Sequence, residues 1–135
     1  MVKMMKQIRK DFNQVALMAI MWLTVVTTLT RGEALAAWRL VSLGVLIGVV
    51  FGVIYSYLWR YSTFGAPWNV LISTISNIGF QILALRLYST TLFDVVSPYL
   101  LGTSLLTFVM HVIIFYYYTR YQNKRLVNEL NQNRK

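Results

Sequence analysis

The side chains with chemistry to offer lie on two polar lines inside apolar sequence. His111, the only histidine among 135 residues, follows Thr103 and Thr107 at steps of four. Asn69, Ser73, Asn77 and Gln81 recur at the same step. On a helix, residues four apart share one face, so each set forms a stripe. An imidazole titrates near neutrality, so His111 could sense a proton or a ligand. The competing reading is a neutral histidine hydrogen-bonded to a neighbouring helix, near Asn77. We prefer it, because one histidine without an acidic partner makes a poor proton relay. The amide stripe could line a substrate path, but bonding between helices is the simpler expectation. Amides facing hydrocarbon would lose hydrogen bonds, so on either reading the stripe turns inward, with Thr107 and His111 as its buried polar counterparts.

The rest of the sequence points away from catalysis. Asp11, Glu33, Asp94 and Glu129 are the only carboxylates, and none falls within an apolar core. Proton-coupled pumps usually need a buried carboxylate. One histidine and no cysteine provide no metal-ligand cluster, disulfide or thiolate. There is no nucleophile–base–orienter set. The repeated glycines fall in a helix interior rather than between a strand and a helix, so they form no phosphate loop. We expect a protein that is not an enzyme, with no catalytic, metal-binding or cofactor-binding residue and no cofactor.

The elements that hold these stripes are membrane helices. Of the residues, 57% are hydrophobic and 13% charged, against about 25% charged in soluble domains. The sequence predicts an all-α polytopic membrane protein, a single domain built as a bundle of four transmembrane helices. Spans are expected at about 14–30, 38–61, 68–88 and 98–118. A basic amphipathic segment, 1–13, precedes them and should lie at the inner membrane surface before the chain turns into the bilayer. A basic tail, 119–135, follows them, and the fourth helix should continue into it before fraying. The first span resembles a signal peptide, and Ala34-Leu35-Ala36 has the small-x-small form of a cleavage site. We read it instead as a retained span. Tyr55, Tyr57, Trp59, Arg60 and Tyr61 read as an interfacial belt closing the second span. Pro67 suits the first turn of the third helix, while Ser97 and Pro98 suit the N-cap and first turn of the fourth.

Within the second span, Gly44, Gly48 and Gly52 recur every fourth residue, and Ser56 continues the line. Such a stripe is a groove into which a neighbouring helix can settle. Four helices supply partners of their own, so we read packing within the chain ahead of a dimer seam.

Four spans place both termini on one side. Of the 13 basic residues, Arg31, Arg39 and Arg86 fall on the opposite side and the other ten on the side of the termini. Basic residues favour the cytoplasm, which predicts a multi-pass cell-membrane protein with N and C termini inside. The net charge of +9 then reports topology rather than direct contact with nucleic acid. The basic ends could also bind anionic lipid headgroups or an acidic protein surface.

In length, span count and expected cytoplasmic termini, the chain resembles small four-span membrane proteins encoded beside LytTR-type DNA-binding regulators in Gram-positive bacteria. The residues carrying the likeness are Gly44-x-x-x-Gly48-x-x-x-Gly52, the aromatic turn that follows, and Trp68-Asn69-Val70-Leu71-Ile72-Ser73-Thr74. The resemblance implies a membrane inhibitor that holds a cytoplasmic DNA-binding regulator away from DNA. On that reading the inner face would carry apolar anchors at Met5, Ile8, Phe12, Tyr121, Leu126 and Leu130. Lys3, Lys6, Lys10, Arg60, Lys124 and Arg125 would guide encounter and specificity. The alternative is a small transporter or flippase component using the polar face of the third span. Four spans enclose too little space for a large polar substrate, so that reading requires a homo-oligomer.

Overall fold

A computed structural model of the chain describes residues 2–132, apart from the side chains of 126 and 129–132. Leu126 and Leu130, expected as apolar anchors, therefore lie outside the described side chains. The elements are α1 (Val2–Arg31), α2 (Ala37–Arg60), α3 (Ala66–Tyr88), α4 (Thr90–Val96) and α5 (Leu100–Gln132). A 3₁₀ turn, Ser97–Tyr99, joins α4 to α5. No strand occurs among the described residues. Four helical stretches are long and apolar enough to cross a membrane: α1, α2, α3 and the α4–α5 run. At about 1.5 Å per residue, the 23 residues of α3 reach roughly 35 Å, enough for a hydrocarbon layer of about 30 Å. The fold is that of a multi-pass helical membrane protein.

Local chemistry explains the helix limits. The hydroxyls of Thr24, Thr27, Thr28 and Thr30 each donate to the carbonyl four residues back, at 2.7–2.8 Å. The first span can therefore carry threonines in an apolar setting. It ends at Gly32, the one residue with positive φ (75°) among the described residues, whose N–H caps the Thr28 carbonyl at 3.0 Å. Pro67 sits in the first turn of α3. Ser89 caps α4 by accepting from the Leu92 N–H at 3.3 Å.

Three expectations need correction. The segment 1–13 does not turn before entering the bundle, because α1 is one helix of 30 residues. The reason is Phe12, which is anchored against the glycine face of α2 and fixes the direction of the preceding turns. Ser97 and Pro98 do not open the last long helix; residues expected in a loop form α4, and Pro98 lies in the 3₁₀ turn that links α4 to α5. Finally, α2 is not uniformly α-helical, since Gly48–Tyr55 winds as a π-helix.

That π stretch has a geometric consequence. In an α-helix a step of four residues overshoots one turn by about 40°, so a four-residue stripe drifts around the axis. The wider i→i+5 turn undershoots at the same step. With α-helix to Ile47 and π-helix beyond, the drift largely cancels. Gly44, Gly48, Gly52 and Ser56 all meet α1.

The helices pack in sequence: α1 on α2, α2 on α3, and α3 on α5, with no comparable contact of α1 on α5. Both described chain ends lie at one end of the bundle, called here the terminal end. The α1–α2 turn and the α3–α4 junction lie at the other, the loop end. Large apolar side chains on α1 and α5, such as Met18, Met21, Trp22, Leu101 and Leu105, are exposed. In water such a surface would be untenable; in lipid it is the solvated face.

Candidate functional site

The glycine stripe is a seat for α1. A Cβ at Gly44 would strike the Ile20 side chain. One at Gly48 would lie 2.8 Å from the Phe12 ring and 3.0 Å from the Ala16 Cβ. One at Gly52 would lie 2.6 Å from the Phe12 Cα and 2.8 Å from its N. The groove is therefore occupied within the chain. Below it, Ser56 Oγ donates to Asp11 Oδ2 at 3.0 Å, and Arg60 meets the same oxygen at 2.7 Å. Gln7 donates to the other carboxylate oxygen at 2.8 Å. Asp11, Ser56 and Arg60 thus clamp α1 to α2 at the terminal end. Phe12 and Arg60, expected to meet a partner, both take part in this internal junction. Phe12 is held by the glycine groove, and Arg60 is bound to Asp11 although its side chain is 54% exposed.

The polar stripes meet around Tyr55. His111 Nδ1 lies 2.8 Å from the Thr107 carbonyl oxygen, which can only accept. Nδ1 therefore donates, and in the tautomer with one ring proton Nε2 is left to accept. The Tyr55 hydroxyl closes on that Nε2 and serves as donor. Asn77 Nδ2 in turn donates to the Tyr55 oxygen at 3.3 Å. A directed chain results: Asn77 to Tyr55, Tyr55 to His111, and His111 to its own helix. It links α3, α2 and α5. The Ser73 carbonyl, 3.5 Å from the same hydroxyl, is a second acceptor for Tyr55. His111 is 7% exposed and Ser73 is 2% exposed, so pairing within the bundle matters to both.

One turn toward the loop end, Gln81 ties α3 to α5. Its Nε2 donates to Thr107 Oγ1 and its Oε1 accepts from Thr103 Oγ1, both at 3.5 Å. Asn69 departs from the expected interhelical role. It accepts from Ser62 at 3.0 Å and donates to the Phe64 carbonyl at 3.4 Å, so it closes the α2–α3 loop. Ser73 returns its hydroxyl to Val70 O at 3.0 Å. Thr74 Oγ1 is buried without a partner among the described residues.

Tyr55 is the residue that sequence reasoning misplaced, as part of an interfacial belt. The signal was its spacing. Phe51, Tyr55 and Trp59 stand four apart, and successive rings lie 5.1 and 6.4 Å apart. This aromatic line runs beside the glycine line and faces α3 and α5. Phe51 meets Phe80 edge-on at 5.5 Å, and Trp59 meets Tyr118 at 4.8 Å. The Tyr118 hydroxyl donates to the Trp59 carbonyl at 3.0 Å, freed at the end of α2.

Beyond these junctions the terminal end is basic and open. Lys3, Lys6, Arg9 and Lys10 are exposed along α1, bordering a groove of about 630 Å³. Met5 is 64% exposed, whereas Ile8 is half-buried. On α5, Tyr121, Lys124 and Arg125 are exposed, and Arg120 and Lys124 border a second groove of about 700 Å³. The two basic surfaces stand on α1 and α5, which do not pack together, so the structure does not merge them into one patch.

No carboxylate enters the Tyr55–His111 network, and no group of three metal-ligating side chains occurs among the described residues. Chemically, the network orients three helices around one imidazole. Compared with protein-family models, curated proteins and solved structures, the chain matches none.

Proposed function

We propose that this chain is a regulatory protein of the bacterial cell membrane, with both termini cytoplasmic, that sequesters a LytTR-type DNA-binding regulator and so inhibits it. The observation that carries the reading is the pair of basic helical ends. Lys3, Lys6 and Lys10 on α1 and Tyr121 and Lys124 on α5 are exposed beyond the internal junctions. Among the described residues, none of the α1 basic side chains forms an ion pair, so their charge is available to a partner. At about 1.5 Å per residue, the 33 residues of α5 reach roughly 50 Å, well past a hydrocarbon layer of about 30 Å. An excess of basic residues at the terminal end supports placing it in the cytoplasm. The partner's identity comes from the resemblance in 44–52 and 68–74. Met5 and Tyr121 are the exposed apolar anchors, and the lysines steer encounter, also toward anionic lipid headgroups.

The transport alternative has weaker support. Asn77 and Gln81, which would line the path, are engaged with Tyr55, Thr103 and Thr107. The glycine groove that could seat a second copy holds α1.

The test is membrane retention of the regulator on co-expression. Reversing Lys3, Lys6 and Lys10 to Glu together with deletion of 122–135 should release the regulator to the soluble fraction while the bundle keeps its helicity. Retention equal to that of the unaltered chain would refute the assignment.

A further inference from the structure

The loop end carries a cleft that the regulatory reading does not use. All four spanning stretches border it: Leu23 from α1, Ile47 from α2, Phe80 and Ala84 from α3, and Leu100 and Thr103 from α5. Its volume is about 380 Å³. It exists because α1 packs on α2 and α5 on α3 without α1 closing onto α5. The wall is almost wholly apolar. Its polar side chains are Gln81, Thr103 and Tyr88; Gln81 and Thr103 bond to each other at 3.5 Å, and Gln81 also bonds to Thr107. Little polar capacity is left for water, so the chemistry favours a hydrocarbon occupant.

Two guanidinium groups mark the same cleft. Tyr88 belongs to its wall, and the Arg31 guanidinium lies over that ring at 4.6 Å. Arg39 Nη1 meets the Tyr88 carbonyl at 3.4 Å. Neither arginine has a carboxylate partner among the described residues, and the Arg60–Asp11 ion pair lies at the opposite end of the bundle. Ring and carbonyl contacts hold the two cations near one residue and leave their charge uncompensated. A phosphate is the natural complement of paired guanidinium forks.

The geometry points to a binding site for one anionic phospholipid, with an acyl chain in the α1–α5 cleft and its phosphate on Arg31 and Arg39. Both halves are needed. The chain alone would bind without headgroup preference, and the arginines alone would bind any anion. The site does not depend on the partner assigned to the cytoplasmic ends.

Native mass spectrometry of the full chain, released from micelles holding equimolar phosphatidylglycerol and phosphatidylcholine, tests this. One phosphatidylglycerol should be retained per chain, in preference to phosphatidylcholine. Losing two charge-assisted contacts in the Arg31→Gln/Arg39→Gln variant should cut that preference about tenfold or more. Arg86→Gln, whose guanidinium stacks on Phe93 instead, should retain it. Ala84→Leu, which fills the cleft without changing charge, should also lower retention. Excess glycerol phosphate, the headgroup chemistry without a chain, should not displace the lipid. Equal retention of the two lipids, or unchanged retention in the double variant, overturns the site. Displacement by glycerol phosphate reduces it to an anion site, and unchanged retention in Ala84→Leu removes the chain from the cleft. Either outcome overturns the proposal. If the double variant loses its helicity, the Ala84→Leu and glycerol phosphate arms decide.

Discussion

Replacing Gly52 by alanine is the sharpest perturbation of the α1–α2 junction. The new Cβ would stand 2.6 Å from the Phe12 Cα, 2.8 Å from its N and 3.0 Å from the Asp11 carbonyl oxygen. Comfortable carbon–carbon separation is about 3.5–4.0 Å. All three atoms are backbone, so no rotamer change relieves the clash and α1 must retreat by roughly 1 Å. A gap of that size forfeits about a quarter to a half of each affected dispersion contact. Overpacking of this kind costs about 1–3 kcal/mol, partly offset by alanine's helix propensity of up to about 1 kcal/mol over glycine. The expected net loss is about 1–2 kcal/mol. Gly48→Ala should cost less, since it meets the Phe12 ring and the Ala16 methyl, while Gly44→Ala, which meets Ile20 Cγ1 and the Ala16 carbonyl oxygen, should also destabilise. Gly79→Ala and Gly102→Ala meet nothing within 4 Å and serve as controls. Reversible unfolding in mixed micelles, followed by circular dichroism, gives the ranking. Equal stability of Gly52→Ala and Gly79→Ala would refute the seat of α1 in the glycine groove.

Two further perturbations address the buried polar groups. Tyr55→Phe removes the hydroxyl shared by Asn77 and His111. Interhelical hydrogen bonds in membranes average about 0.6 kcal/mol, so losing two should cost about 1–2 kcal/mol in the same unfolding assay. An unchanged midpoint would mean that the network does not join the helices. Thr74→Val replaces an unpartnered buried hydroxyl by a methyl and should be neutral or stabilising by up to about 1 kcal/mol; a clear loss would show that Thr74 Oγ1 has a partner.

Much of this architecture was legible in residue types and spacing. Charge confined to the ends of apolar runs marks four spans, and the fourfold glycine repeat marks a close helix contact. What stayed hidden depends on which helix meets which. Phe12 reads as the apolar edge of a surface helix because its partner, Gly52, lies 40 residues away in sequence. Asn69 shares the period of Asn77 and Gln81, yet it sits in the first turn of α3, where loop groups reach it first. Tyr55 reads as interfacial by composition, and only the positions of α3 and α5 turn its hydroxyl into a hub. The π-helix has no simple signature either. It reconciles the four-residue stripe with a straight neighbouring helix, a requirement set by packing rather than by local propensity.

Sequestration of a DNA-binding protein is the central claim, and a mild-detergent pull-down of the tagged chain from its native membrane tests it most directly. Mass spectrometry of the eluate should find a soluble LytTR-type DNA-binding protein in stoichiometric amount, lost when Lys3, Lys6 and Lys10 are reversed and 122–135 is deleted. An eluate containing only further copies of the chain, or another membrane subunit, would contradict the account.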